Sequence, residues 1–383
     1  PGGASYLTRL TEPELYNASQ MISSGYLMFD VDLIPGLNVN FGARVETTDL
    51  KVSASGIWIY SDQELRKRLL SSEQRADQEV LNLLTTAASE VDSPLRRAAR
   101  SDPRLLSRSQ ANISRVDILP ALSVTWDLQE NQRVRGAVSQ TIARPSFKEI
   151  APVAFINPES GDYFVGNVDL KLSSIINYDV RWEWFPEPGA LIGVSGFAKT
   201  IQNPIEFSQE GEYTSYINVD SASVYGFELE FQRDFSFITP ELKPFSFGAN
   251  YSYIKSVATR TGDGTFVFGK QRRLQGQPDY IANFNLTYDD PENPFSGGLF
   301  LNITGQQLYA VATTTYDPDV FQEPLTTLDL GLSYKFSKIC KLTFRASNLT
   351  DAKQTRFYNN TQKPVYSVRS PGIGYSLSMT FDW

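Results

Sequence analysis

The chain has 383 residues, a formal net charge of −8, one cysteine and no histidine. A single thiol cannot form an internal disulfide, and without histidine the chain lacks the usual general base of hydrolases and the usual ligand of transition metals. The negative charge argues against a nucleic-acid partner, and no run of about 20 apolar residues predicts a membrane-spanning helix.

Stretches in which apolar and polar residues alternate follow one another along the chain, as in strands with one apolar and one polar face. About 13 strands are predicted, at 23–34, 38–49, 114–128, 132–143, 176–184, 190–201, 225–232, 245–256, 278–289, 298–310, 326–336, 340–348 and 374–383. In the clearest of the internal strands, Trp182 and Trp184 share one face, and Arg181 and Glu183 lie on the other. This pattern favours a strand between lipid and a wet lumen.

A polar segment rich in Glu, Arg, Leu, Ala and Gln interrupts the strands at about 61–108. Its composition predicts helix, in two pieces broken at Ser93-Pro94 and Asp102-Pro103. We interpret it as a helical insertion in a long loop. It is either a solvated spacer or a lid or docking surface for a partner.

The connections between predicted strands alternate in length without exception. Short ones lie near 35–37, 129–131, 186–189, 235–243, 290–297 and 337–339, and long ones at about 50–113, 144–175, 202–222, 257–277, 311–325 and 349–371. This alternation indicates an antiparallel up-and-down meander with one plain and one elaborated end. In outer-membrane barrels the short turns are periplasmic and the long loops are extracellular. The C-terminus of this chain lies on the side of the short turns, so it is predicted to be periplasmic.

The last strand places five apolar residues on one face and polar residues on the other. The apolar residues are Tyr375, Leu377, Met379, Phe381 and Trp383. Such a strand suits the wall of a transmembrane β-barrel. The odd strand number predicts that residues 1–383 form only part of a larger barrel domain, because bacterial barrels have even numbers of strands and open edges in lipid are costly. The remaining strands are expected on an upstream segment or on a second chain.

Aromatic residues in the long loops are the candidate ligand contacts, since sugars, peptides and siderophores all stack on such rings. They are Trp58, Tyr60, Tyr163, Phe164, Tyr309, Tyr316 and Tyr358. The alternative is packing between loops.

Charged residues suggest few further sites. Arg144, next to Pro145, is either a contact for an anionic ligand or a residue that ends a strand and reaches the interface or lumen. Asp317, Asp319 and Glu323 lie close enough in sequence to bind calcium, but they lack the glycine and spacing of a known calcium loop. We therefore predict no metal site and no cofactor.

Two further pairs of charged residues each share one strand face. Glu228 and Glu230 form one pair, and Arg133 and Arg135 form the other. Paired carboxylates can serve glycoside hydrolysis, but neighbours on one strand facing a lumen are more simply contacts of the pore or a plug. No enzymatic activity is predicted.

Four stretches together resemble the C-terminal half of the barrel of TonB-dependent outer-membrane receptors, of the kind common in Bacteroidetes. They are Gln140–Phe147; Asn177–Pro186 with Val194–Lys199 and Asn203–Ile205; Ala346–Asp351; and the aromatic last strand. The resemblance implies a barrel of 22 strands, of which this chain supplies about the last 13. It also implies that Tyr375, Phe381 and Trp383 resemble the signal read by the outer-membrane insertion machinery.

The function implied is active import of a ligand such as a siderophore, oligosaccharide or peptide across the outer membrane. Expected partners are the lipid bilayer, the remaining N-terminal barrel strands, a plug domain that this chain does not contain, a TonB-type energy coupler that acts through the absent N-terminus, and a surface lipoprotein. The alternative is a passive porin or fatty-acid-type channel. An outer-membrane enzyme is disfavoured because the chain has no histidine.

Overall fold

The computed structural model describes residues 16–54, 110–151, 153–156, 163–210, 213–259, 271–312, 318–337 and 339–381. The predicted helical insertion at 61–108 lies outside these residues. In the described part, no helix has the length and apolar character needed to cross a membrane.

Twenty-two strands are described. They are β1 Tyr16–Ile34, β2 Leu37–Ala54, β3 Gln110–Gln129, β4 Gln132–Ala143, β5 Ala154–Ile156, β6 Tyr163–Val165, β7 Ser173–Trp184, β8 Leu191–Gln202, β9 Ile205–Glu210, β10 Tyr213–Asn218, β11 Ser221–Asp234, β12 Phe245–Thr259, β13 Gln271–Arg272, β14 Tyr280–Asp289, β15 Phe295–Thr304, β16 Gln307–Ala312, β17 Val320–Gln322, β18 Leu325–Ser337, β19 Cys340–Ser347, β20 Gln354–Tyr358, β21 Val365–Arg369 and β22 Gly374–Phe381. One short α-helix, α1 Phe147–Ile150, and two 3₁₀ turns, Phe235–Phe237 and Pro240–Leu242, accompany them.

Thirteen of these strands form one continuous antiparallel sheet, which we call the wall. Its order is β1-β2-β3-β4-β7-β8-β11-β12-β14-β15-β18-β19-β22, with β13 attached beside β12. Each wall strand pairs with the next wall strand in the chain, so the predicted up-and-down meander is confirmed. The connections also alternate between short and long, as predicted.

The predicted strand at 298–310 is wrong at its end. The wall strand β15 stops at Thr304, and a separate strand, β16, starts at Gln307 in a different sheet. Gly305 lies in the break, where its amide donates to the carbonyl of Tyr280 and an added Cβ would lie 2.9 Å from the Tyr280 ring. The chain leaves the wall where a side chain at position 305 would crowd Tyr280, although the apolar alternation continues through it.

The two faces of the wall differ as predicted for a strand between lipid and lumen. On the outer face Val180, Val194 and Leu229 are 55%, 41% and 44% exposed. On the inner face Arg181 and Glu183 form ion pairs with each other and with neighbouring strands. Large apolar side chains facing outward are stable only where the surrounding solvent is itself apolar.

Among the described residues the wall is an open sheet. The first strand, β1, pairs only with β2, and the last, β22, pairs only with β19. Tyr375 and Phe381 lie on one face of β22 and are 67% and 55% exposed. In the described part of the chain, one edge of β22 therefore has no partner strand.

The connection from β4 to β7 folds back against the inner face of β2 and β3. Its Ile150, Ala151, Val153 and Leu170 are buried in one cluster, which also contains the wall residues Leu50, Val52 and Ala111. Helix α1 starts with a capping box in which Ser146 accepts from the Glu149 amide and Glu149 accepts from the Ser146 amide. This connection is therefore a packed layer on the wall.

Candidate functional site

A second sheet of eight strands is built entirely from the long connections, and we call it the loop sheet. Its order is β21-β20-β17-β16-β9-β10-β6-β5. In the sequence, all of these strands except β16 fall in predicted loops, because strands of three to six residues are too short to show clear alternation. Most of β16 falls in the strand predicted at 298–310. The best signal was in β9 and β10, where Ile205, Phe207 and Tyr216 belong to two short alternating runs.

The hairpin of β9 and β10 is turned over relative to the wall strands that carry it. In the wall, β8 lies on the side of β7 and β11 lies on the side of β12. In the loop sheet the sides are exchanged: β9, which follows β8, lies beside β16, and β10, which leads into β11, lies beside β6. The turn begins at Asn203, whose φ of 52° is in the left-handed region that asparagine tolerates. Because of the reversal, each hairpin strand meets a strand running in its own direction, and the two joins are parallel.

One glutamine holds the parallel join between β9 and β16. The side chain of Gln275 accepts from the amide of Phe207 and donates to the carbonyls of Phe207, at 2.8 Å, and Tyr309, at 2.5 Å. These backbone groups lie just before the ladder between the two strands, which begins with Val311 opposite Ser208. Gln275 thus replaces the missing interstrand bonds at the mouth of the join.

A buried ion pair anchors the same region. Glu206 is 1% exposed and pairs with Arg272 through both carboxylate oxygens, one of them at 3.0 Å. It also accepts from the backbone amide of Gln275 at 3.0 Å. A buried carboxylate needs such compensation, so the connection from β12 to β14 is tied to β9 by charge.

Six aromatic rings from six loop-sheet strands form a continuous row, which we call the aromatic row. In order of contact they are Phe164 (β6), Tyr216 (β10), Phe207 (β9), Tyr309 (β16), Tyr366 (β21) and Tyr358 (β20). Successive ring centroids lie 5.4 to 6.1 Å apart. Phe164 is buried, and the other five are half-buried, so each of these keeps some surface accessible.

The structure brings together three of the predicted aromatic residues, Phe164, Tyr309 and Tyr358. Tyr163 lies in β6, but its side chain is outside the described part, as are Trp58, Tyr60 and Tyr316 entirely. Phe207, Tyr216 and Tyr366 also belong to the row and are not among the predicted residues. Their partners come from other connections, so proximity along the chain could not reveal the row.

The electrostatics of the aromatic row differ between its two ends. At the β10 end, burial raises the pKa of Tyr216, and the charges of Glu149 and Tyr309 raise it further. At the β20 end, the guanidinium carbon of Arg356 lies 3.6 Å from the centre of the Tyr309 ring. That end carries a cation stacked on a tyrosine.

Arg144 serves the structure of the β4–β7 connection. Its side chain pairs with Glu46 and donates to the Thr48 hydroxyl at 3.0 Å. Glu46 also binds Arg44 at 2.8 Å. Of the two interpretations of Arg144, the geometry favours the one in which it reaches the inner face of the barrel.

The paired charges predicted on the strands take part in ion pairs along the inner wall. Arg181 contacts Glu183 at 3.0 Å and reaches over β8 to Glu230 at 2.5 Å, and Arg135 lies 3.4 Å from Glu183. Arg181 can cross β8 because Gly193 has no side chain: a Cβ there would lie 2.9 Å from the guanidinium. Glu230 and Arg135 therefore have ion-pair partners on the inner wall, and their positions are explained without a catalytic role for the Glu228–Glu230 pair.

The other charged candidates do not form a site in the described part of the chain. Arg133 pairs with Asp127 at 2.5 Å, and Glu228 accepts from the Ser252 hydroxyl at 3.3 Å. Asp317 lies outside the described residues, and within them no three potential metal ligands cluster.

A groove of about 500 Å³ indents the outer face of the wall between β3, β4, β7 and β8. Small residues, Gly136, Gly196 and Ala198, leave space beside Val180 and Tyr178. Because this face is the apolar one, the groove is part of the lipid-facing surface and is separate from the aromatic row.

A protein-family model described as "TonB dependent receptor-like, beta-barrel" matches residues 2–349. No curated protein sequence matches the chain.

Solved structures of receptors and transporters have the same fold. The ferric yersiniabactin uptake receptor FyuA from Yersinia pestis is 16% identical with a TM-score of 0.58, and the match covers 96% of this chain and 46% of FyuA. The ferric-catecholate import receptor Fiu from K12 E. coli is 14% identical with a TM-score of 0.59, covering 96% and 45%. The copper transporter OprC is 16% identical with a TM-score of 0.58, covering 95% and 48%. The chain spans about half the length of these proteins, and at such low identity the likeness shows the fold alone.

Proposed function

Because the chain belongs to the TonB-dependent receptor-like β-barrel family, we propose that it forms part of the barrel of a receptor that actively imports one ligand. The barrel lies in the outer membrane, with its long connections outside the cell and its short turns and C-terminus at the periplasm. Family matches are to transport receptors, which supports a role in transport and not in catalysis.

The aromatic row is the observation that supports a specific ligand. It lies on the loop sheet, which the extracellular connections build, and five of its six rings keep accessible surface. Rings held by a sheet that joins several connections lose little conformational entropy when a ligand stacks on them.

The ligand belongs to the range that includes siderophores, metal complexes, oligosaccharides and peptides. FyuA and Fiu are named for ferric ligands and OprC for copper. The shared fold is therefore compatible with more than one cargo, and the residues of the aromatic row select among them.

The whole receptor requires further parts. We propose that the free edges of β1 and β22 pair with the remaining strands of a 22-stranded barrel, because unpaired backbone groups in lipid cost several kcal/mol each. The whole receptor also includes a plug domain and acts with a TonB-type energy coupler. We further propose that residues 61–108 act as an extracellular lid, a spacer or a docking surface, with a surface lipoprotein as the partner.

The apolar end of the last strand is proposed to guide assembly. Tyr375 and Phe381 lie on the exposed outer face of β22, and Trp383 follows in the sequence beyond the described residues. Replacing Phe381 and Trp383 with alanine should lower the amount of heat-modifiable barrel in the outer membrane. The same replacement at Phe284, an outer-face residue of β14, is the control.

Uptake by the natural full-length protein tests the import function. Cells that lack their own receptors would carry it, with the energy coupler present or deleted, and accumulation of ferric siderophores, copper, oligosaccharides and peptides would be measured. We expect accumulation of one of these classes only with the coupler, and loss of it in Tyr309→Ala but not in Phe284→Ala. Uptake that ignores the coupler, or steady ion conductance of the purified protein, would support the passive channel instead.

A further inference from the structure

One end of the loop sheet carries a row of hydrogen-bond donors across four strands. Register places Gln307 opposite Gln322, Gln322 opposite Arg356, and Arg356 opposite Ser367. Residues directly opposite each other in antiparallel strands share a face. These four side chains, which we call the donor row, therefore point the same way, and none of them is acidic.

The cation of the donor row, Arg356, has no carboxylate partner among the described residues. In the described part of the chain, no carboxylate lies within ion-pair distance of Arg356, and its Nε is buried without a hydrogen-bond acceptor. The other arginines near this sheet are paired, Arg272 with Glu206 and Arg273 with Asp279. A cation kept in a half-buried position without a carboxylate retains its attraction for an anion.

One aromatic ring stacks on this cation, and two further rings continue from it. Tyr309 lies under the guanidinium at 3.6 Å, and Tyr366 is 6.1 Å from Tyr309 between ring centres. Tyr358 meets Tyr366 edge to face at 5.4 Å. The stacking fixes the plane of the guanidinium, so its orientation is set before a ligand arrives.

We propose that the donor row and these tyrosines bind an oxyanion, such as a carboxylate or phosphate, that is carried on a flat ring. Arg356 neutralises the charge of the oxyanion, the half-buried Gln307 donates to a remaining oxygen, and the ring of the ligand stacks on the tyrosines. The alternative occupant of an aromatic face, a neutral sugar, has no charge to match Arg356. The inference rests on the proposed import function, because it specifies the ligand class that the receptor selects.

Binding to the purified full-length protein in detergent tests the proposal without transport. The probes are phenyl phosphate and benzoate, with neutral benzamide and methyl glucoside for comparison, followed by saturation-transfer NMR and calorimetry. We expect the two anions to bind, with weaker binding at higher salt, and benzamide to bind at least tenfold more weakly.

Arg356→Gln should weaken anion binding at least tenfold, and Arg356→Lys should weaken it less because the charge remains. Arg273→Gln is the matched control: this arginine lies over the Phe321 ring at 6.0 Å but is paired with Asp279 at 2.8 Å. It should leave anion binding unchanged. Heat-modifiable migration confirms that each variant is folded.

Equal binding of benzamide and benzoate, or equal anion binding by wild type and Arg356→Gln, would overturn the proposal. So would equal losses in Arg356→Gln and Arg273→Gln, which would indicate a general electrostatic effect. These results leave the import function standing, since that is judged by the dependence of uptake on the coupler. Conversely, coupler-independent uptake leaves the anion site intact.

Discussion

Replacing Glu206 with glutamine removes the charge that holds the β12–β14 connection to the loop sheet. Glu206 is 1% exposed, and it binds Arg272 and the Gln275 amide at once. Breaking a buried pair from one side leaves the other charge uncompensated, at a cost of about 3–5 kcal/mol. Because Arg272 is 19% exposed, it can turn partly to water, so we expect a loss of about 3 kcal/mol at the lower end of that range.

Hydrogen exchange of the full-length protein, followed by mass spectrometry, measures this loss locally. A factor of ten in an equilibrium corresponds to about 1.4 kcal/mol, so amides of β9, β10 and β16 should exchange roughly 100-fold faster in Glu206→Gln when exchange follows local opening. Amides in the wall should be unaffected. The mutation acts on the loop sheet, whereas the wall strands are held by hydrogen bonds among themselves in a separate sheet.

Two further variants show whether burial is the cause. Glu187→Gln breaks an exposed pair, in which Glu187 is 57% exposed and lies 3.1 Å from Arg233. Because exposed pairs contribute little stability, hydrogen exchange of the amides near this pair should change only a few-fold. Replacing both partners, with Glu206→Leu and Arg272→Met, should recover part of the protection because no lone charge remains. Equal, small effects of Glu206→Gln and Glu187→Gln would show that burial does not set the strength of the Glu206 pair.

Three other predictions test the wall and the aromatic row. Val180→Arg, on the outer face, should lower the free energy of unfolding from lipid vesicles by about 2–4 kcal/mol, whereas Ala137→Arg, on the inner face, should be nearly neutral; equal effects would contradict the assigned faces. Gly193→Ala should push Arg181 away from Glu230 and cost up to about 1 kcal/mol in urea unfolding, while Gly136→Ala, where nothing lies within 4 Å of the added Cβ, should cost nothing by this mechanism. Because the pKa of Tyr216 is raised in the folded protein, the loop sheet should be most protected below pH 10.0, the ordinary tyrosine value, and should lose protection as pH rises past it towards the folded pKa. Hydrogen exchange corrected for intrinsic rate should show this loss, and Tyr216→Phe should abolish it.

The candidate site was only partly predictable. Tyr309 and Tyr358 were identifiable as loop aromatics, but nothing near them in the sequence indicates Phe207 or Tyr216 as neighbours. The contact between Phe207 and Tyr309 exists because the β9–β10 hairpin is turned over, in a turn that begins at the left-handed residue Asn203. The predicted Bacteroidetes origin stays a prediction.

The sequence by itself determined the wall, including its thirteen strands, their antiparallel order and the faces of residues such as Val180 and Arg181. It could do so because lipid and water act on every second residue, so the environment of each side chain is recorded locally in the alternation. Only the tertiary structure decided the loop sheet. This sheet depends on contacts between connections far apart in the chain, namely its parallel joins, the buried charge of Glu206 and the hydrogen bonds of Gln275. A glutamate or glutamine looks the same in the sequence whether its side chain is solvated or buried.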